Sequence, residues 1–353
     1  MPDLSAQTTR HSVYLEGLKA GEIKKFGPFL KRMDKSIRLK LAGTDLTAYS
    51  RTRLEKLLAS LGKDLRATLA EYQAVATDSM VDVGLYEAGF ESRSINKVLD
   101  GFESVIPAAE QVAAAIMSSP LSVRGADGGK LLKPFMTDWT AVESKRITGA
   151  IRQGYFEGQT TNSILQTVRG TRAKGFTDGV LGITNRNAAA VVRTGLQHAA
   201  STARMETWKA NDDIIEGYRW LSTLDGRTSG QCRNLDNQFF KLGEGPLPPI
   251  HVNCRSTTMA EVSSEFAVKQ SSERASKDGP VKGNSTYYSW LKKQPIKFQE
   301  DVIGIKRAKL MRDGGLSSER FTELNMGRNF KPLSLAEMEA KEPLAFARIR
   351  KDS

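Results

Sequence analysis

The chain has 353 residues, 39% of them apolar and 26% charged, which is enough to build a sizeable core and, by length, two or three domains. That balance excludes wholesale disorder, and no apolar run approaches the roughly 20 residues needed to span a bilayer. The net charge is +12, and seven of the excess positive charges fall in residues 266–353. Such a surface favours polyanionic partners. Two cysteines, Cys232 and Cys254, exclude a secreted scaffold built on disulfides. Residues 1–10 are polar and lack the apolar stretch of a signal peptide, so synthesis and folding in a cytoplasm are expected.

The first third reads as helical. Leu54, Leu57, Leu58, Leu61, Leu65, Leu69 and Tyr72 recur at spacings of three and four, which predicts one buried face of a helix over residues 49–72. Thr44 and Asp45 supply polar groups ahead of it. Further helices are predicted over 92–99 and 106–117. Residues 123–130, VRGADGGK, are small, polar and Gly-rich and form the best candidate linker.

In the middle, Trp139, Val142, Ile147, Ile151 and Tyr155 define a helix over 138–158, followed by a short one over 161–168 with Thr161 or Asn162 as N-cap. Four glycines within 170–182 mark a loop. An Ala-rich helix over 184–210 carries Ala188, Val191, Val192, Leu196, Ala199 and Ala203 on one side, small enough for close packing. The period then changes: residues 218–223 favour a strand, Asp225–Gly226 a turn, and Phe239 and Phe240 a second strand. Residues 243–249, GEGPLPP, form a stiff irregular loop. Residues 271–284, rich in Ser, Lys and Gly, read as linker or disorder, and beyond them Tyr287, Tyr288, Trp290 and Phe298 lie among lysines.

The segment from Gly217 reads GYRWLSTLDGRTSGQCRNLDNQFFKLGEGPLPPIHVNCRSTT. It holds a Trp-bearing strand (Trp220), a D-x-R-T turn (Asp225, Arg227, Thr228), Cys232, a Leu235–Asp236 step, Phe240, Pro248–Pro249, His251 and a closing Cys254–Arg255. In that order these residues resemble the signature of the Mu F-like minor head proteins of tailed bacteriophages. Val192-Arg193-Thr194 and the EGQTTNSI piece from Glu157 extend the resemblance over about residues 138–260. The resemblance implies a minor head protein acting in capsid assembly near the portal. Many members pair cysteines as R-T-C-x-x-C and C-R-C. This chain has Ser229 and Ser256 at the two positions that would complete four, and Asn237 in place of the glycine of the L-D-G step.

Four chemistries can be weighed on these residues. Cys232, His251 and Cys254 offer three soft ligands for a structural zinc, with Asp225, Asp236 or His198 as a fourth; the plainer reading is two small buried thiols and a histidine bonded to a loop carbonyl. A Cys232–Cys254 disulfide in the virion is a second option, with two free thiols as its alternative. Asp225, Arg227, His251 and Arg255 could be drawn together as a nuclease-like or acid–base site, or Asp225 and Arg227 can simply tie a turn. Lys292, Lys293, Lys297, Lys306 and Arg307 suit phosphate contacts with the nearby rings stacking on bases, or else a solvated flexible tail.

The reading is therefore a mostly helical α+β protein: an all-α domain over 1–125, a small α+β Mu F-like domain over 130–262, and a basic, partly flexible or disordered tail over 263–353. The resemblance implies that it acts structurally in procapsid assembly and is not an enzyme. The motif residues Trp220, Asp225, Arg227, Thr228, Cys232, Asp236, Pro249, His251, Cys254 and Arg255 serve as scaffold. No cofactor is expected, with structural zinc as the alternative. The expected partners are portal, scaffold or major capsid protein and non-specific double-stranded DNA, with no membrane, and the location is the host cytoplasm and then the capsid interior or portal vertex. The alternative function is an ejected nuclease-like or modifying enzyme built around Asp225, His251 and Arg255.

Overall fold

Three helices open the chain in the computed structural model, which describes residues 4–43, 46, 49–266 and 273–351. They are α1 (Leu4–Lys24), α2 (Gly27–Leu41) and the 46-residue α3 (Arg51–Asn96). Thr44 and Asp45, the polar pair expected ahead of the helix, lie outside the described residues. The Ser50 hydroxyl caps α3 by accepting from the Arg53 amide. The leucine stripe is buried as expected. The two helices predicted over 49–72 and 92–99 are one, because the buried face between them carries Gly84, Glu87 and Glu91, which interrupt the apolar period. Similarly, α1 buries Ser5, Gln7, Thr8, His11 and Lys19 beside only two leucines, so it has no apolar stripe to read.

Next come α4 (Ala109–Ser118), α5 (Leu132–Phe156), α6 (Thr161–Arg169) and the 30-residue α7 (Val180–Lys209). The α6 cap is Thr160, one residue before the first of the two expected candidates. Helices α3 and α7 pack closely at Gly195, where an added Cβ would lie 2.5 Å from the Met80 methyl. One apolar core runs from Leu15 to Ala203, taking in Leu65, Ile116, Val123, Leu132, Ile151 and Leu196. It crosses the boundary expected at 125–130. That segment is not a linker: the Leu121 amide donates to the Lys130 carbonyl at 2.9 Å, the Arg124 amide donates to the Ile250 carbonyl at 3.2 Å, and Val123 is buried. The glycines there close a loop instead of freeing one.

A three-stranded antiparallel sheet follows, in the order β2 (Phe239–Lys241), β1 (Ile215–Leu221), β3 (Thr257–Val262). Tyr218 sits between Phe240 and Ala260, and Trp220 faces Thr258. The Trp208 ring of α7 stacks on Tyr218 with centroids 5.6 Å apart, which seats the sheet on that helix. A short helix, α8 (Gly230–Leu235), lies between β1 and β2. Strand β3 carries no clear sequence signal, since Thr257 and Thr258 place polar side chains among its buried positions.

The carboxy-terminal region differs from the flexible tail expected. After a hairpin of β4 (Glu273–Ser276) and β5 (Gly279–Lys282) it forms α9 (Tyr287–Leu291), α10 (Ile296–Ile303), α11 (Ile305–Asp313), α12 (Ser318–Asn325), α13 (Leu335–Lys341) and α14 (Pro343–Lys351). Residues 267–272, where the predicted linker over 271–284 begins, lie outside the described residues. These helices share a core of Tyr287, Tyr288, Trp290, Leu310, Phe321 and Met338, joined by Leu224 of the central module. Short helices rich in charge hide this core from a periodicity argument, because each contributes only a few apolar residues. The whole is a mostly helical α+β fold with small antiparallel sheets.

Candidate functional site

The motif residues gather where β1 leaves the sheet. Asp225 accepts a two-armed pair from Arg255, at 2.8 and 2.9 Å, as well as the Arg227 amide at 3.0 Å and the Thr228 hydroxyl at 3.2 Å. Burial alone would raise this carboxyl, but Arg255 and the turn donors outweigh it and hold Asp225 below its ordinary value. The Arg227 guanidinium is 82% exposed and stands 3.7 Å from Asp225, so Arg255 rather than Arg227 is the main partner of the turn. Trp220 is fully buried and donates its indole N–H to the Ser222 hydroxyl, which in turn donates to the Cys232 carbonyl. Pro249 is buried in the loop that returns the chain to His251.

The next layer is a sulfur–imidazole cluster. Ser229 caps α8 and receives the Cys232 amide, which aims the Cys232 thiol inward. His251 Nε2 lies 3.2 Å from Cys232 Sγ, and the two sulfurs are 3.8 Å apart. The ligand atoms of all three residues fall within 4.8 Å of one another. Cys254 is held well below the usual thiol range by the Cys232 hydrogen bond and by His251, while Cys232 is pushed up by sharing with Cys254 and by burial. His251 is raised, chiefly by its bond to Cys254.

Three soft donors fit three corners of a zinc tetrahedron. The expected fourth ligands do not join them. His198 is bonded to the Ile116 carbonyl, Asp225 to Arg255, and Asp236 to Arg274. A cavity of about 20 Å³ beside the Cys232 thiol is lined by Ser229 and Ser256 together with Cys232 and His251. The two serines thus occupy walls of the same small site. Both cysteines are buried, which leaves neither accessible as a nucleophile.

Asp225, His251 and Arg255 do not converge. Asp225 and Arg255 line a groove of about 310 Å³ against α1 and β4, whereas His251 lines the separate small cavity with Arg255. Both Asp225 oxygens are already occupied by Arg255.

Sequence reasoning missed the strongest polar anchors, because their partners are far away along the chain. Asp236 accepts from both arms of Arg274, at 2.9 and 3.0 Å, and from the Ser222 amide at 2.7 Å; both side chains of the ion pair are buried. Arg204 of α7 bonds Glu87 of α3, the Thr257 hydroxyl and the Thr258 carbonyl of β3, and Glu87 also receives His11 of α1 at 2.6 Å. Trp208 donates to Glu91, whose burial pushes its carboxyl up to about 7 against the pull of Arg204. Lys19 reaches Gln197, which donates to the Ser256 carbonyl at 3.0 Å. Helix α1 is thereby fastened to the motif's closing segment.

Of the tail cations, Lys292, Lys293, Lys297 and Lys306 are exposed, while the Arg307 guanidinium is half-buried and donates to the Leu333 carbonyl. Tyr287, Tyr288 and Trp290 are buried, and Phe298 packs edge-on against Trp290. Base stacking by those buried rings is therefore excluded. The tyrosine hydroxyls dock the tail on the motif instead: Tyr287 donates to the Asp225 carbonyl and Tyr288 to Asn234. Among the described residues, no helix is long and apolar enough to cross a membrane.

Residues 145–259 match the family model described as Phage Mu protein F like protein, so the segment from within α5 into β3 is similar to that family. No curated protein and no solved structure matches the chain.

Proposed function

We propose that the protein acts structurally in procapsid assembly near the portal and is carried into the virion, as its segment similar to the phage Mu F-like head-morphogenesis proteins suggests. The observation that carries this reading is the family match over residues 145–259, together with the use made of its motif residues. Asp225, Arg255, Cys232, His251 and Cys254 hold a turn, a short helix and a returning loop together, which is the work of a scaffold. In this reading the sulfur–imidazole cluster is a clip and no reaction is catalysed. The partner is the portal, the scaffold or the major capsid protein. Exposed Lys292, Lys293, Lys297 and Lys306 would touch double-stranded DNA through phosphate alone.

Affinity capture of the tagged full-length chain from infected cells, with mass spectrometry of the co-purifying proteins, tests the proposal. Recovery of portal, scaffold or major capsid protein is the expected result. Their consistent absence, and absence of the chain from procapsids and mature heads, would overturn it.

A further inference from the structure

A cleft of about 660 Å³ lies away from the motif, between α2 and the loop that enters α7. Lys31, Asp34, Arg169, Phe176 and Arg186 are among its lining residues, and Arg172 and Lys174 stand exposed on the same loop, in a 3-10 turn. Asp34 is the one carboxylate of the lining, and it is already engaged by Arg169 at 2.6 Å and Arg38 at 3.1 Å. Among the described residues, Lys31, Arg172, Lys174 and Arg186 make no ion pair. Lys31 and Arg186 in the lining and Arg172 and Lys174 beside it focus positive potential there, offset in part by the Asp178 carboxylate next to Lys174.

The loop is built to hold its shape. Asp178 accepts the Thr171 amide at 2.7 Å and the Thr171 hydroxyl at 2.8 Å, closing residues 171–178 into a ring. Arg186 donates to the Thr177 carbonyl. Within that ring Phe176 sits at φ +60°, a backbone region unfavourable for a bulky side chain, and the residue is 44% exposed. The Arg169 guanidinium lies 5.4 Å from the Phe176 ring centroid. Helix α7 starts at the cleft with Gly179 as its cap and no side chain covering its first amides, so the positive end of a 30-residue helix adds to the same field.

We propose that this cleft binds single-stranded nucleic acid. Lys31, Arg172, Lys174, Arg186 and the start of α7 take the phosphodiester backbone, and Phe176 stacks on an unpaired base. An acidic peptide would satisfy the cations but would leave the exposed ring without a planar partner. A duplex would satisfy the cations while keeping its bases stacked on each other. The inference goes beyond the assembly reading and does not depend on it, since binding can be measured on the isolated chain.

The test is fluorescence anisotropy with the full-length protein, a labelled 20-nucleotide single strand and the matching duplex, across a salt series. Four variants are compared: Phe176→Ala; Phe176→Tyr; a cleft set of Lys31→Gln, Arg172→Gln, Lys174→Gln and Arg186→Gln; and a tail set of Lys292→Gln, Lys293→Gln, Lys297→Gln and Lys306→Gln. All of these cations are exposed, and unchanged thermal melting confirms folding. Phe176→Ala should weaken single-strand binding about 5-fold or more and leave duplex binding unchanged, while Phe176→Tyr restores it. The cleft set should lower the salt slope for the single strand by up to about 2.8, at about 0.7 for each phosphate no longer neutralised. Equal weakening by the tail and cleft sets, indifference to Phe176→Ala, or equal competition by a polyglutamate peptide would each overturn the proposal.

Discussion

Asp236 and Arg274 form a buried ion pair beside the motif. Removing one member leaves the other as a buried, uncompensated charge, so Asp236→Ala should destabilise the protein by about 3–5 kcal/mol in denaturant melts. Glu91 gives a prediction of opposite sign. Its carboxyl rises from 4.5 unfolded to about 7 folded, so the folded state holds the extra proton and stability is lost as pH rises through that window. Glu91→Gln keeps an acceptor for the Trp208 indole and should flatten the fall in Tm between about pH 5 and pH 8; an unchanged slope would show that Glu91 does not titrate there. At the sulfur cluster, three ligands and two hydroxyl-bearing neighbours should leave the purified chain with under about 0.2 equivalents of zinc. Ser229→Cys with Ser256→Cys should raise that to about one equivalent by metal analysis, because both positions already line the same cavity as Cys232 and His251.

Between helices, the informative residues are those that allow close approach. Gly195 on α7 faces Met80 on α3, and Gly84 on α3 faces Ile116 on α4, where an added Cβ would stand 2.3 Å from the Ile116 methyl. Gly195→Val should therefore overpack the α3–α7 interface and lower stability by about 1–3 kcal/mol, read as a shift in denaturant midpoint with an unchanged slope. The leucine stripe of α3 and the Ala-rich side of α7 are legible in the sequence because each repeats an apolar residue at helical spacing. The continuation of α3 is not, because its buried face switches to Gly84, Glu87 and Glu91, and the two acids are tolerated there only through Arg204, Trp208 and His11. Asn237 in the glycine's place is legible too: it adopts φ +63°, as asparagine readily does.

Across the whole molecule, one core spans α1 to α7, and the family segment covers only part of it. Helices α5 and α7 bury their apolar sides largely against α3, which lies outside residues 145–259. A fragment of residues 138–260 should accordingly lack a cooperative thermal transition by circular dichroism, whereas the full chain melts cooperatively. A sharp transition in the fragment would show that the family segment folds alone.

The sequence by itself determined the helical α+β class, the family resemblance, the strand–turn–loop order and the sulfur and imidazole side chains of the motif, because these rest on local spacing and on the order of a dozen residues. Tertiary structure alone decided who pairs with whom. It joined Asp225 to Arg255, Asp236 to Arg274 and Glu87 to Arg204, buried the tail's aromatics, and closed the supposed linker into the core. The physical reason is that a buried charge is stable only beside its complement, and the complement can be any distance away along the chain.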